Sequence, residues 1–353
     1  MTSQDNIVII GAGIIGLDVA LVLAERGFGK QITVVAEYLP GDTAIAYTSP
    51  WAGCNFSTIS GSDANALRWD RLGYTHLSKL ASEKPEVTHV KRTPSTELWD
   101  DDVPHEKIEA MSEYLEDFRA LPNNELPQGV KFAASFTTLT VNAPKHLLYL
   151  YNRLRDDYNV RFVRQKIPDI HAAFSSASTK IVFNCTGNAA RTLPGVEDAK
   201  CYPTRGQVLL TAAPEVRTNM MRHGKDYETY IIPRPNSNGY VILGGYMQKD
   251  NGDGSTYAYE TESILQRTKE LSDEVRSSNL EVIIAVAGLR PSREGGARVE
   301  KETLLVSGES RTVVHNYGAG GTGFQAGYGM AVDAVKAAEP LLLEMSGSFR
   351  SRL

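Results

Sequence analysis

The sequence predicts an α/β fold in which a unit with a parallel sheet is interleaved with an α+β unit built on an antiparallel sheet. Three observations lead to this prediction. An apolar strand, a glycine-rich turn and a helix follow one another over 7–26, and a second strand over 31–36 closes a βαβ unit. A second glycine-rich loop precedes a helix over 318–344. Between about 202 and 287, short strand-like runs replace the alternation of strand and helix.

Length and composition limit the possible classes of protein. A chain of 353 residues exceeds the size at which one hydrophobic core keeps growing, so two units are expected. Hydrophobic content of 42% with 22% charged residues is typical of soluble globular proteins. A net charge of −5 and the lack of a basic run argue against a nucleic-acid partner, and no apolar run approaches the ~20 residues of a membrane span. Three cysteines without ligand spacing predict neither a metal site nor disulfides.

The first glycine-rich turn has the G-x-G-x-x-G spacing of a Rossmann-type dinucleotide site. Gly11 allows the tight turn, Gly13 lets the backbone approach a pyrophosphate, and Gly16 permits close packing of helix on strand. Glu37 ends the second strand about twenty-five residues on, where this motif places an acid against a ribose hydroxyl. Taken alone, the motif leaves NAD, NADP and FAD open.

The middle of the chain indicates where the two units alternate. From 41 to about 138 the strand and helix alternation is lost, and it resumes with a helix at 144–157 and strands at 160–163 and 180–184. A helix at 261–276 interrupts the antiparallel strands. We therefore predict a discontinuous nucleotide-binding domain of residues 1–55, 140–195 and 300–345, a substrate domain of residues 56–139 and 196–299, and a flexible tail at 346–353.

The second glycine-rich loop lies within 313–331. It reads as a short strand, a loop with few side chains, and a helix running to about Glu344. A set of backbone N–H groups before a helix can stabilise negative charge on a redox ring. Two such helix starts, near opposite ends of the chain, predict a cofactor held at both of its ends.

At this point the residues resemble a known family over nearly the whole chain. The segment from Val313 to Ala331 looks like the signature of the D-amino acid oxidases, of the fungal peroxisomal type. Further matches to that family are Tyr47-Thr48-Ser49-Pro50-Trp51-Ala52-Gly53, Asn184-Cys185-Thr186-Gly187, Tyr202-Pro203-Thr204-Arg205-Gly206-Gln207, Tyr230-Ile231-Ile232-Pro233-Arg234-Pro235 and Gly288-Leu289-Arg290-Pro291.

The resemblance implies noncovalently bound FAD. Val163 would pack near the adenine, and the segment from Gly320 to Gln325 would contact the isoalloxazine ring. The full set of residues expected to bind the cofactor is Gly11, Ala12, Gly13, Ile14, Ile15, Gly16, Glu37, Thr48, Ser49, Gly53, Cys54, Asn55, Val163, Thr186, Gly187, Arg290, Gly320, Gly321, Thr322, Gly323, Phe324 and Gln325.

A substrate amino acid presents a carboxylate, whose best single ligand is a guanidinium with two parallel donors. Arg290 is preferred because it ends an apolar strand and is followed by Pro291. The resemblance implies that Arg290 binds the α-carboxylate and that the Tyr230 hydroxyl is a second donor, and both are expected to be catalytic. The substrate site would also include Asn55, Tyr246, Met247 and Gly321. The implied reaction moves the α-hydrogen as hydride to flavin N5. Dioxygen then reoxidises the flavin and gives hydrogen peroxide. The imino acid hydrolyses in water to the 2-oxo acid and ammonia.

Several alternatives remain open at this stage. Tyr246 and Met247 favour a neutral or apolar substrate side chain, but Arg222, in a segment at 220–227 that reads as a lid loop or a surface hairpin, could bind a side-chain carboxylate. A D-aspartate or D-glutamate oxidase is therefore the second hypothesis. A third hypothesis is another flavin oxidase, acting on glycine, sarcosine or L-amino acids. A fourth is a dinucleotide-binding sensor without turnover. Expected partners are the D-amino acid, dioxygen and a second copy of the chain.

The last three residues also carry a signal. Ser351, Arg352 and Leu353 resemble the carboxyl-terminal peroxisomal address Ser-Lys-Leu, with arginine in the place of lysine. The sequence therefore predicts recognition by the peroxisomal import receptor and a location in the peroxisomal matrix.

Overall fold

The computed structural model describes residues 6–174, 176–224 and 227–350, and in these ranges helices pack on two β-sheets. The strands are β1 (Ile7–Ile10), β2 (Ile32–Ala36), β3 (Val90–Trp99), β4 (Arg119–Ala120), β5 (Phe132–Val141), β6 (Arg161–Arg164), β7 (Ile181–Asn184), β8 (Cys201–Ala212), β9 (Asn219–His223), β10 (Glu228–Pro233), β11 (Tyr240–Gly244), β12 (Gln248–Lys249), β13 (Glu281–Arg293), β14 (Arg298–Val306) and β15 (Glu309–Tyr317). The α-helices are α1 (Ile14–Leu23), α2 (Ala64–Glu83), α3 (Pro85–Thr88), α4 (His105–Tyr114), α5 (Ala143–Asp156), α6 (Ala258–Leu271), α7 (Asp273–Ser277), α8 (Gly323–Ala337) and α9 (Glu339–Arg350).

The first sheet has six strands in the order β14-β15-β7-β1-β2-β6. Strand β1 is parallel to both β2 and β7, and β15 is parallel to β7, while β14 joins the edge antiparallel to β15. All residues of β1, β2 and β7 are buried, as expected for central parallel strands covered on both faces. The predicted βαβ unit is confirmed.

Helix α1 is shorter than predicted. Its α-helical part ends at Leu23, and a π-helical turn, Ala24–Phe28, follows. Within that turn Gly27 has a φ of 92°, a conformation that residues with a side chain rarely adopt. The chain therefore leaves the helix at Gly27.

The second sheet has the order β12-β8-β11-β10-β9-β3-β5-β4, with β13 also pairing with β8. Antiparallel pairs predominate, although β3 is parallel to β9. Strand β13 extends to Arg293, so the prediction that Arg290 ends its strand was wrong. It lies inside the ladder, opposite Thr204. Pro291 is tolerated because, in the described residues, β13 forms a strand ladder only with β8 and meets its other side only through an isolated bridge between Ser292 and Ala319.

Three other sequence predictions need correction. Helix α2 was missed, although Asp63 caps it by accepting hydrogen bonds from the N–H groups of Asn65 and Ala66 at 3.1 Å. The helix predicted at 261–276 is split, because Ser272 caps a new helix, α7. The helix predicted from the second glycine loop to about Glu344 is also two helices, since α8 ends at Ala337 and α9 begins at Glu339.

The described part of the segment predicted as a lid loop or surface hairpin belongs to a hairpin whose strands lie inside the second sheet. Residues Asn219–His223 form β9, which pairs with β10 on one side and β3 on the other. Arg222 lies on β9, and its Nε donates to Asp100 Oδ1 at 3.0 Å. Arg222 is therefore engaged with Asp100, and its contact with a substrate side-chain carboxylate stays a prediction.

The predicted domain boundaries stay a prediction. The six-stranded sheet draws its strands from residues 7–36, 161–184 and 298–317, and the second sheet draws its strands from 90–141 and 201–293. No helix in the described ranges is both long and apolar enough to cross a membrane. The last three residues lie outside the described ranges, so the predicted peroxisomal signal has no structural description.

The contact between α2 and α8 depends on Gly73. A Cβ atom on Gly73 would lie 1.6 Å from the carbonyl oxygen of Gln325, which belongs to rigid backbone. We expect Gly73→Ala to lower the free energy of unfolding by about 1–3 kcal/mol, despite the better helix propensity of alanine. Chemical denaturation of the purified protein measures this change. Thr75→Ala, at an exposed position of the same helix, is the control and should be nearly neutral or stabilising.

Candidate active site

A cavity of about 900 Å³ extends from the carboxyl end of β1 to β13 and the start of α8. Predicted site residues from segments far apart in the sequence line it together. They are Gly11, Ala12, Gly13, Ile14, Ile15, Glu37, Thr48, Ser49, Gly53, Cys54, Asn55, Thr186, Gly187, Tyr230, Met247, Arg290, Gly320, Gly321, Thr322, Gly323, Phe324 and Gln325.

Bare backbone forms one end of the cavity. Gly11 has a φ of 105°, and a Cβ atom there would lie 2.5 Å from the carbonyl oxygen of Cys185. The hydroxyl oxygen of Ser49 accepts a hydrogen bond from the Ile14 N–H at 3.0 Å, which fixes the loop around the start of α1. Glu37 lies just beyond the end of β2, and its carboxylate is 3.4 Å from the Lys166 ammonium. The predicted ribose ligand is therefore beside the turn predicted for the pyrophosphate.

The second glycine-rich segment forms another wall. Strand β15 ends at Tyr317, and a short 3-10 turn, Gly320–Thr322, leads into α8. The N–H groups in the first turn of a helix lack partners within that helix and carry partial positive charge. The start of α8 can therefore support negative charge on a molecule in the cavity.

Gln325 fastens the start of α8 to its surroundings. Its amide oxygen accepts from the Ser57 N–H at 3.2 Å, and its Nε2 donates to Ser60 Oγ at 2.9 Å and to Asp70 Oδ1 at 3.1 Å. Burial raises the pKa of Asp70 to about 6, against the lowering effect of these hydrogen bonds. The predicted flavin contact at Gln325 is thus held in a polar network.

Two asparagines at the cavity have unsatisfied hydrogen-bonding atoms. Neither Asn316 side-chain atom, nor Asn188 Oδ1, has a partner in the described parts of the chain. Both residues line the cavity, and a buried polar atom without a partner is costly. Together with the backbone walls and Glu37, these atoms fit a long cofactor with polar groups along its length. FAD, the predicted cofactor, has those properties.

Arg290 and Tyr230 lie side by side at the end of the cavity away from Gly11. Arg290 Nη2 donates to the Tyr230 hydroxyl at 3.2 Å, and Nη1 donates to the Tyr246 carbonyl at 3.0 Å. Within the described ranges Arg290 has no ion pair with a carboxylate. Burial raises the pKa of Tyr230 although the Arg290 charge lowers it, so the hydroxyl stays protonated at neutral pH. The pair can donate several hydrogen bonds to an incoming anion.

Three glycines make room for this pair. A Cβ atom on Gly206 would lie 2.2 Å from Arg290 Nη1. A Cβ atom on Gly244 would lie 2.2 Å from the Tyr230 ring, and one on Gly245 would lie 2.4 Å from its hydroxyl. The absence of these side chains therefore fixes where the guanidinium and the phenol lie.

Three predicted site residues are not among the described lining of the cavity. Gly16 lies within α1, where a Cβ atom would be 2.0 Å from the Gly11 carbonyl oxygen, in keeping with its predicted packing role. Val163 packs on the apolar cluster that includes Val8 and Val35. The Tyr246 ring packs beneath Arg267, although its carbonyl orients Arg290.

Sequence reasoning missed several residues at the cavity: Asn188, Val208, Met221, Glu228, Ile232 and Asn316. A signal existed for two of them. Side chains alternate along a strand, so placing Tyr230 at the site puts Glu228 and Ile232 on the same face. No such signal existed for Met221, because β9 was read as a loop or surface hairpin.

Comparison with known proteins supports the same interpretation. A family model described as FAD dependent oxidoreductase matches residues 6–336. A D-amino-acid oxidase of Schizosaccharomyces pombe is 44% identical over 340 residues, covering 95% of this chain and 96% of that protein. A D-aspartate oxidase of Cryptococcus neoformans var. grubii is 32% identical over 390 residues, covering 95% of this chain and 97% of that protein.

A solved structure has the same fold. Glycine oxidase from Geobacillus kaustophilus superimposes with a TM-score of 0.72 at 17% identity, covering 95% of this chain and 94% of that one. At this identity the similarity concerns the fold alone. The family model and the curated relatives, by contrast, extend over almost the whole sequence. The chain therefore belongs to the D-amino-acid oxidase family of FAD-dependent oxidoreductases.

Proposed function

We propose that the protein oxidises D-amino acids with neutral or apolar side chains to 2-oxo acids, using dioxygen and water and releasing ammonia and hydrogen peroxide. The observation that carries this proposal is the guanidinium of Arg290 beside the Tyr230 hydroxyl, with no carboxylate partner among the described residues. A carboxylate is the natural partner of such a pair. The preference for the D enantiomer is supported by the 44% identical relative, which is named a D-amino-acid oxidase.

FAD, when bound, supplies the acceptor for the α-hydrogen and passes the electrons to dioxygen. The protein's own task is to bind and align the substrate. Arg290 and Tyr230 hold the α-carboxylate, while Val208, Met221 and Ile232 form apolar walls that exclude water. Alignment of this kind supplies much of the rate when no proton transfer by a side chain is needed.

The preference for neutral side chains is supported by the position of the basic residues. Arg222 is engaged with Asp100, so it is not available to pair with a second substrate carboxylate. Met247, which lines the cavity, is apolar. Oxidation of D-aspartate, the reaction in the name of the 32% identical relative, is the alternative substrate class.

Removing the Arg290 guanidinium tests the proposal. We expect Arg290→Leu to lower kcat/KM for D-alanine by at least about a hundredfold, because a charged bidentate contact of ~3 kcal/mol or more is lost. Arg290→Lys, which keeps the charge but not the paired donors, should lose less. Peroxide production with D-alanine measures both, at equal FAD content. Undiminished turnover by the leucine variant would contradict the proposal.

We also propose that the enzyme is imported into peroxisomes. The support is the sequence of the last three residues, together with the proposed production of peroxide. Deletion of Ser351, Arg352 and Leu353 should move an amino-terminally fluorescent fusion from puncta to the cytosol. A deletion variant that stays in peroxisomes would contradict the import signal.

We also propose that the protein self-associates into a homodimer. Sedimentation of the purified protein in the analytical ultracentrifuge would test this.

A further inference from the structure

Three ionisable side chains lie on the same sheet face as Tyr230. Strand register pairs His223 with Glu228 and Met221 with Tyr230, and on the other side of β9 it pairs Met221 with Glu97. Because side chains alternate along strands, Glu97, His223 and Glu228 share the face that carries Met221 and Tyr230. This group of three residues, the acidic cluster, is not used by the proposed chemistry.

Contacts within the acidic cluster hold it rigidly. His223 Nδ1 is 2.8 Å from Glu228 Oε2, and His223 Nε2 is 3.1 Å from Glu97 Oε2. The Trp99 ring stacks on the imidazole with 4.9 Å between ring centroids. Ser57 donates to Glu97 at 3.1 Å. These contacts restrict the rotation of both carboxylates, so their positions change little when a ligand binds.

Only Glu228 of the cluster belongs to the cavity wall. Its side chain is 17% exposed, whereas that of Glu97 is fully buried. Its Oε2 binds His223, and among the described residues this is the only hydrogen bond of its carboxylate. The cluster therefore has one carboxylate oxygen available to a molecule in the cavity.

The acidic cluster places two carboxyl groups around one imidazole. Although burial disfavours the imidazolium, hydrogen bonds and charges from Glu228 and Glu97 raise the pKa of His223 to about 9. Lys107 lies behind the cluster, where its Nζ donates to the Ser60 carbonyl at 2.7 Å. Burial lowers the pKa of Lys107, while the charges of Asp70, Glu97 and Glu228 act to raise it. Arg267 donates to the Glu228 carbonyl and to Thr229 Oγ1. The side chain of Thr229 lies on the sheet face opposite to that of Glu228. The Arg267 guanidinium therefore does not pair with the cluster's carboxylates.

We infer that Glu228 sets side-chain specificity by placing a fixed negative charge in the part of the cavity that receives the substrate side chain. The inference rests on the proposed function, in which the α-carboxylate lies at Arg290 and Tyr230. Glu228 is two residues from Tyr230, about 7 Å along the strand, which is within reach of a four-carbon side chain. An ammonium or amide end is favoured there, and a side-chain carboxylate is repelled.

Matched pairs of substrates isolate this effect. D-lysine and D-norleucine have the same carbon chain and differ in the terminal ammonium, and D-glutamate and D-glutamine differ in charge at almost constant shape. We would measure kcat/KM by oxygen consumption for all four with the wild type, Glu228→Gln and the control Glu262→Gln, an exposed position on α6. Retained FAD absorbance and an unchanged Tm establish that each variant is folded.

In Glu228→Gln we expect the ratio of kcat/KM for D-lysine to kcat/KM for D-norleucine to fall at least about tenfold. The factor by which kcat/KM for D-glutamate lies below that for D-glutamine should shrink by a similar amount. In the control Glu262→Gln, D-norleucine turnover and both ratios should stay near wild type. Glu228→Leu, which also removes the charge but leaves His223 Nδ1 without its partner, replaces the glutamine variant if that variant loses FAD.

Unchanged ratios in the folded Glu228 variant would overturn the inference while leaving the proposed function intact. A wild type that oxidises D-glutamate as well as D-glutamine would overturn it without any variant. Wild-type protein that binds FAD but oxidises none of the four substrates, and D-alanine neither, would instead contradict the proposed function.

Discussion

Arg290 and Tyr230 can lie side by side only because Gly206, Gly244 and Gly245 have no side chains. Each of these glycines occupies a place where a Cβ atom would overlap the guanidinium or the phenol. The pair belongs to different strands, β13 and β10, so its geometry is set by the register of the sheet and not by a local loop. Side chains on strands are positioned more precisely than side chains on loops, and this applies to both residues of the pair.

The same principle operates at the other end of the cavity. Gly11 approaches the Cys185 carbonyl, and Gly16 approaches the Gly11 carbonyl, at distances that exclude side chains. The nucleotide end and the substrate end are thus both shaped by missing Cβ atoms. Between them, the network from Gln325 to Asp70 and Ser60 ties the start of α8 to α2. One cavity therefore connects elements from both sheets, which a two-electron transfer between cofactor and substrate requires.

Local patterns predicted much of this arrangement. The βαβ unit followed from apolar runs and glycine spacing, and the motif residues could be placed because family resemblance assigned them roles. Strand β9 was misread because its sequence, Asn219–His223, contains Met, Arg and His in place of the usual β-branched residues. Pairing with β10, the next strand, and long-range pairing with β3 override that weak propensity. The bonds of His223 to Glu97 and Glu228 could not be foreseen, since they depend on the register of three strands.

Helix α2 illustrates a different limit. Its buried residues are Asp70, Gly73, Tyr74, Leu77 and Leu80, so its apolar stripe covers only its second half, although Asp63 marks its start. The polar residues on its inner face become meaningful only once Gln325 of α8 is known to meet them. Polar contacts between distant elements determine this part of the fold, and a single sequence carries little information about them.

We propose that one cavity brings a bound flavin and the α-carbon of a D-amino acid into reacting distance. The most direct measurement is the visible spectrum of the purified flavoprotein during anaerobic mixing with D-alanine or L-alanine. We expect rapid loss of flavin absorbance with D-alanine and none with L-alanine. Protein that binds FAD but keeps its full absorbance with D-alanine, or that is bleached equally by both enantiomers, would contradict it.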